Sequence, residues 1–224
     1  MSVLNLSAIH SALRELQRVF PQINVDLLER RDQLDDEVIA NMMDGYRVVD
    51  GYLSDGVDIF SLGNSSSWLK LNATVLCGTD PARLARHRRL LEATSERFYG
   101  EAAAGIGDVM GWYAMHRKQD VWRRAAGVYN RILSEPQLFI EGNHRTGALI
   151  MSFILASEEK PPFVLTKENA KGYFNPSSLI KRNRKKNLVG EVKLGRLTKE
   201  FEKFLRAQKN PEFLGPSVMT AVGE

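Results

Sequence analysis

The residues of this chain whose types and spacing can do chemistry lie in one stretch, Gln137-Leu-Phe-Ile-Glu-Gly-Asn-His-Arg-Thr146. A Gly142-Asn143 turn follows a carboxylate, Glu141, precedes a guanidinium, Arg145, and opens directly into the apolar run 147–156. A helix that is apolar on nearly every face belongs in a protein interior. Its first amides have no partner within the helix, and its dipole favours negative charge, so a Gly-Asn-x-Arg first turn makes an anion pocket. Arg145 can add a bidentate phosphate contact. Gly142, Asn143, His144, Arg145 and Thr146 are therefore the candidate phosphate-binding residues. Glu141 is the candidate ligand for a divalent cation that bridges phosphates. The same residues also admit a purely structural reading. Gly142-Asn143 can be a turn and an N-cap, with Glu141 favourable near the helix start and Arg145 in a surface ion pair.

In their register, Gln137, Phe139, Glu141, Gly142, Asn143, His144 and Arg145 resemble the signature of the Fic family, His-x-Phe-x-(Asp/Glu)-Gly-Asn-(Gly/Lys)-Arg. In that family the signature lies between two central helices. The stretch from Trp122 to Leu133 resembles the amphipathic helix that delivers the motif, and Ile106, Val109, Met110 and Trp112 resemble the helix before it. The likeness spans roughly residues 105–157. It implies an all-α fold, a compact Fic-type helical bundle around a central buried helix, with a small β-hairpin or extended flap. It also implies a nucleotide ligand, ATP with Mg2+, and transfer of AMP to a hydroxyl group of a protein target.

The departures bear on that chemistry. Gln137 stands where the family places its general base, a histidine that takes the proton of the attacking hydroxyl. A carboxamide orients a hydroxyl or a water but has no useful basicity near neutral pH. General-base catalysis contributes about 10²–10⁴-fold in rate. His144 replaces the usual Gly or Lys, and Ala148 stands where many members have a second arginine. His144 is ionisable near neutrality and is the candidate substitute base. It lies across the Gly-Asn turn from Gln137, however, and so approaches a phosphate from another direction. His10 and His87 read as solvated, and His116 as a cation at a helix end.

Composition sets outer bounds. With 224 residues, 43% of them hydrophobic, the chain can bury a core without staples. A single cysteine, Cys77, excludes an internal disulfide and points to a reducing, cytoplasmic setting. No apolar run approaches the roughly twenty residues needed to span a bilayer, so no membrane partner is expected. The net charge of +4 is uneven, with Lys181, Arg182, Arg184, Lys185 and Lys186 crowded together. No aromatics interleave with them as a base-stacking surface requires, so a solvated loop is expected rather than a nucleic-acid patch.

The elements that must position these residues read as mostly helical. One stripe runs from Leu4 to Phe20 and closes at Pro21. A second runs from Leu34 to Leu53, with Asp35 and Asp36 at its start and Gly56 after its end. Residues 68–76 fit a short helix or an extended segment. Asp80-Pro81 opens a helix that continues towards Tyr99. Pro161-Pro162 stops the buried helix, 163–166 fits a short strand or an extended linker, 167–173 fits a helical turn, and Asn175-Pro-Ser-Ser178 is a turn. Residues 194–205 form a further helix. The flap has two candidate positions, near 74–79 and near 98–104. The organisation expected is an N-terminal helical region over 1–100, a core over 101–180, a basic segment and helix over 181–210, and a loose tail over 211–224. Three roles stay open: an altered transferase, a nucleotide-sensing binding protein, and a basic adaptor with a vestigial pocket.

Overall fold

The computed structural model describes residues 2–100, 105–185, 187–208 and 210–215. Ten helices follow in chain order among these residues: α1 (Leu6–Val25), α2 (Asp36–Ser54), α3 (Ser66–Cys77), α4 (Pro81–Arg86), α5 (Arg88–Tyr99), α6 (Ile106–Met115), α7 (Val121–Leu133), α8 (Asn143–Ala156), α9 (Ala170–Lys181) and α10 (Leu188–Ala207). A short 3-10 turn at Pro211–Phe213 closes the series. The all-α expectation holds. No strand forms among the described residues, and two isolated bridges, Leu4–Leu214 and Glu135–Arg184, are the only β-type pairings there. Of the two places considered for a flap, Thr74 to Cys77 end α3, and Phe98 and Tyr99 end α5. Residues 101–104 lie outside the described ones.

The centre of the molecule is the α7–α8 hairpin. Every residue of α7 except Arg123 is buried, and so is every residue of α8 from Thr146 to Ala156. The two helices run antiparallel, because Gly147 near the start of α8 faces Tyr129 and Ile132 near the end of α7. A Cβ at Gly147 would lie 2.7 Å from Tyr129 Cδ2, so only glycine permits this approach. α2 and α3 cover one side of α8, while α9 and α10 pack against α7. One hydrophobic core runs from Leu4 to Phe213, so the sequence divisions at 100 and 180 separate no independent cores.

Local signals explain several boundaries. Asp35 caps α2 by accepting from Val38 N at 2.7 Å, and Gly56 takes φ +66° just beyond its end. Asp80 and Asp120 cap α4 and α7 in the same way, at 3.0 and 2.9 Å. Other boundaries depart from the sequence pattern. α1 runs through Pro21, because the exposed Pro21 leaves its missing bond on the solvent side while Ile23 beyond it packs on the core. Asn175-Pro-Ser-Ser178 is not a turn but the middle of α9. Ser177 and Ser178 are buried there, donating back to Tyr173 O at 2.5 Å and Phe174 O at 3.3 Å. The helix that opens at Pro81 breaks at His87 into α4 and α5.

The basic run is not a solvated loop throughout. Arg182 pairs with Glu29, whereas Lys185 is buried, its Nζ donating to Arg131 O at 2.7 Å with Asp108 3.5 Å away. Burial pushes the Lys185 ammonium down to about 8, with Asp108 opposing the shift. The start of the tail is not loose. Leu214 pairs with Leu4, and Asn5 N donates to Phe213 O at 2.9 Å, which fastens residues 211–215 to the N-terminus.

Alanine at an interior helical glycine ordinarily stabilises by about 0.5–1 kcal/mol. Gly147→Ala is expected to do the reverse. It should lower stability by about 1–3 kcal/mol through overpacking against Tyr129. Urea unfolding of the two proteins measures the difference.

Candidate functional site

The head of α8 is shaped by a loop that fastens to itself. Gly142 adopts φ +75°, a left-handed conformation that glycine reaches at little cost. Beyond it the Asn143 side chain turns back, its Oδ1 accepting from Phe139 N and its Nδ2 donating to Phe139 O, both at 2.9 Å. From α3, Asn72 Nδ2 donates to Glu141 O at 2.9 Å and to Thr146 Oγ1 at 3.0 Å. On the far side, Glu135 N donates to Asn183 O at 2.8 Å and Leu138 N to Ile132 O at 3.0 Å. The loop is thus held at both ends by hydrogen bonds, and no side chain caps the helix it feeds.

The consequence is a bare helix terminus. Thr146 N bonds to Gly142 O at 2.9 Å, but among the described residues nothing accepts from the amides of Asn143, His144 and Arg145. Gly142 to Arg145 line a cavity of about 330 Å³, which is within the usual range of ligand cavities, roughly 300–1,000 Å³. Phe20 of α1 and Val38, Ile39 and Met42 of α2 supply an apolar wall, and Phe174 of α9 another. Arg31 and Asp32 from the α1–α2 connection, Arg145, and Lys181 at the end of α9 supply the charges, three cations against one carboxylate. Burial pulls the Arg145 guanidinium below its usual range, with Asp32, Glu141 and Asp35 opposing. It stays charged at any physiological pH, and its Nη1 donates to Val75 O at 2.6 Å.

His144 sits in this cavity wall. Its Nδ1 lies 3.1 Å from Tyr129 OH, which lies 2.8 Å from Ser177 Oγ, which lies 2.5 Å from Tyr173 O. The protons along this chain follow from its last member. A carbonyl only accepts, so Ser177 donates to Tyr173, Tyr129 donates to Ser177, and His144 Nδ1–H donates to Tyr129. Nε2 is then an unprotonated acceptor, and it is sealed from solvent with no partner. Burial, reinforced by Arg31 and Lys181, lowers the imidazole pKa to about 3. A base of that strength accepts protons poorly at neutral pH.

The stretch 137–146 is therefore divided. Gly142, Asn143, His144 and Arg145 come together at the cavity. Gln137 and Glu141 do not line it. The Gln137 carbonyl accepts from Arg97 Nε at 2.9 Å, and Glu141 is exposed. Thr146 is fully buried with its amide and hydroxyl both engaged, so it braces the loop. Among the described residues no three His, Cys, Asp or Glu side chains form a metal-binding group. Sequence reasoning missed Arg31, Lys181, Asn72 and Tyr129. The Glu29-Arg-Arg-Asp32 charge cluster between two helical stripes was the one signal that could have drawn attention to Arg31. No family model, no curated protein and no solved structure matches this chain.

Two outcomes are expected. Asn143→Ala removes both bonds to Phe139 and should destabilise by about 1–3 kcal/mol, read from denaturant midpoints. His144 prefers to be neutral in the fold, so its contribution is complete above the unfolded value of about 6.5 and declines as pH falls towards 3. Wild type should lose about 1–2 kcal/mol more than His144→Gln between pH 7 and pH 5 in urea unfolding.

Proposed function

We propose that this protein is a nucleotide-binding regulator on a Fic-like helical scaffold. The observation that carries the reading is the set of three unbonded amides at the head of a buried helix, opening into a cation-lined cavity. A phosphoryl group would accept from those amides and lie beside Arg145, Arg31 and Lys181. The helix dipole adds to the attraction. A carboxamide at position 137, outside the cavity wall, supports binding over transfer. Mg2+ would arrive with the nucleotide's phosphates, and Glu141, exposed and outside the cavity lining, would have to reach it from the solvent side. A protein target remains part of the proposal, since a regulator needs something to report to. The single buried cysteine fits a cytoplasmic setting. Among the described residues no helix is long and apolar enough to cross a membrane.

A second reading, a transferase with an altered site, draws on the retained register of Glu141, Gly142, Asn143 and Arg145. The basic-adaptor reading is weaker, because the cationic run is dispersed. Lys181 lines the cavity, Arg182 is paired and Lys185 is buried.

ATP with magnesium should stabilise the protein thermally without labelling it or proteins of a lysate. Binding at a hundredfold excess over Kd is worth about 2.7 kcal/mol of stability. Label transfer would favour the second reading, and Gln137→His should then raise it. Arg145→Ala should weaken nucleotide binding by about 1.5–3 kcal/mol, measured by calorimetry. Unchanged affinity would place the ligand elsewhere.

A further inference from the structure

Helix α10 carries apolar side chains on two opposite sides. Leu194, Leu197, Phe201 and Leu205 turn one stripe into the core. A second set faces water at the start of the helix, where Leu188, Val189 and Val192 are 82, 77 and 70% exposed. From Val192 the same outward face continues through Arg196, Lys199 and Lys203, four, seven and eleven residues on, with Lys193 beside them. These cations are exposed, and none of them has an ion pair among the described residues. The acids of the helix do not neutralise them. Glu191 is held by Arg131, and Glu202 by Arg123 and Arg206, which leaves Glu200. A second element repeats the pattern. Met115, 78% exposed at the end of α6, is followed closely by Arg117 and Lys118, both exposed and without an ion pair among the described residues. Met115 shares a groove with Glu191 and Gly195 of α10, so the two tips lie on one side of the molecule.

We propose that this side of the molecule docks peripherally on a bilayer surface rich in anionic lipid. Leu188, Val189, Val192 and Met115 enter the headgroup region, and the cations face the lipid phosphates and carboxylates. Exposed apolar patches with a polar rim mark interaction surfaces. The rim here is almost wholly cationic, which is the complement of an anionic leaflet. The identity of its charges favours lipid over protein. They are mostly lysines, and no aromatic side chain of α10 is exposed. Protein–protein interfaces are enriched in aromatics and arginine and poor in lysine. Near an anionic leaflet lysine and arginine count alike, each strengthening partition about fivefold. A nucleic-acid backbone would satisfy the cations but leave the three aliphatic side chains in water. Among the described residues no helix is long and apolar enough to cross a bilayer, so the contact is at the interface. None of these residues lines the cavity at the head of α8, and the proposal stands apart from the nucleotide reading.

The test is co-sedimentation of the full chain with vesicles of phosphatidylcholine containing about 30% phosphatidylserine, set against vesicles of phosphatidylcholine alone. The protein should pellet with the mixed vesicles and bind the neutral ones at least about tenfold more weakly. Raising the salt from about 0.1 M to about 0.5 M should release it. Lys199→Gln combined with Lys203→Gln should weaken partition about thirtyfold. Val192→Glu should weaken it about tenfold or more. All three positions are exposed, so these variants should fold, which circular dichroism checks. No binding to the mixed vesicles, equal binding to both kinds, or a Val192→Glu variant that binds like wild type overturns the proposal. Binding of polyglutamate or of a DNA duplex, with none of the mixed vesicles, overturns it in favour of an acidic protein or a nucleic acid.

Discussion

The structure is organised by one unsatisfied boundary, the uncapped N-terminus of the buried central helix α8. A helix start normally recruits a Ser, Thr, Asp or Asn side chain, worth about 1 kcal/mol. Here the cap position is Gly142, which has no side chain to offer. The next residue, Asn143, is of a capping type but is committed to Phe139 on both of its polar atoms. The stability that a cap would give the helix is given to the loop instead. The result is a rigid approach and a terminus whose amides stay open, which is the combination an anion site requires.

That arrangement constrains its surroundings. Gly147 lets α7 come close, which sets the Tyr129 ring against the first turn of α8 and its hydroxyl within reach of His144. Tyr129 is fully buried, and burial raises its phenol pKa well above the usual value, so it serves as a neutral relay. Ser177 can join the relay because α9 continues through Pro176 and keeps Ser177 facing inward. The same helix carries Phe174 and Lys181 to the cavity. Tyr173 adds a second tie, donating from its hydroxyl to His144 O at 2.9 Å. A buried polar network of this kind is rigid when its members are satisfied. In this one the unsatisfied atom is His144 Nε2, which is sealed from solvent.

The parts of the fold that were legible in the sequence are those decided locally. Asp35, the stripe from Val38 to Val49 and Gly56 mark α2 at both ends, and the structure places caps where those types predict them. The run 147–156 reads as buried because no face of it is strongly polar, and it lies in the core of the molecule. What could not be read depends on contacts between distant segments. Asn175-Pro176 looks like a turn by itself, yet Asn175 Oδ1 accepts from Leu28 N at 3.0 Å and the helix runs on. Lys185 looks solvated in a basic run, until Asp108 and the Arg131 carbonyl give it a buried place. Of the site, the α8 head was legible because it is contiguous. Arg31, Asn72 and Lys181 were not, because their role exists only where α3, α9 and the α1–α2 connection converge on that head.

Contiguity in sequence also misled in one respect. Residues 137–146 read as a single chemical unit, but the left-handed Gly142 divides them into two faces. Beyond it, the amides and His144 turn into the cavity; before it, Glu141 turns to solvent and Gln137 lies outside the cavity wall. The fold uses position 137 through its carbonyl, which receives Arg97, and that bond is indifferent to the side chain. Position 143, by contrast, is used through its side chain, which no isostere without both a donor and an acceptor can replace. The side chain at 143 is thus held by the fold itself, while the fold makes no use of the side chain at 137 through the Arg97 bond.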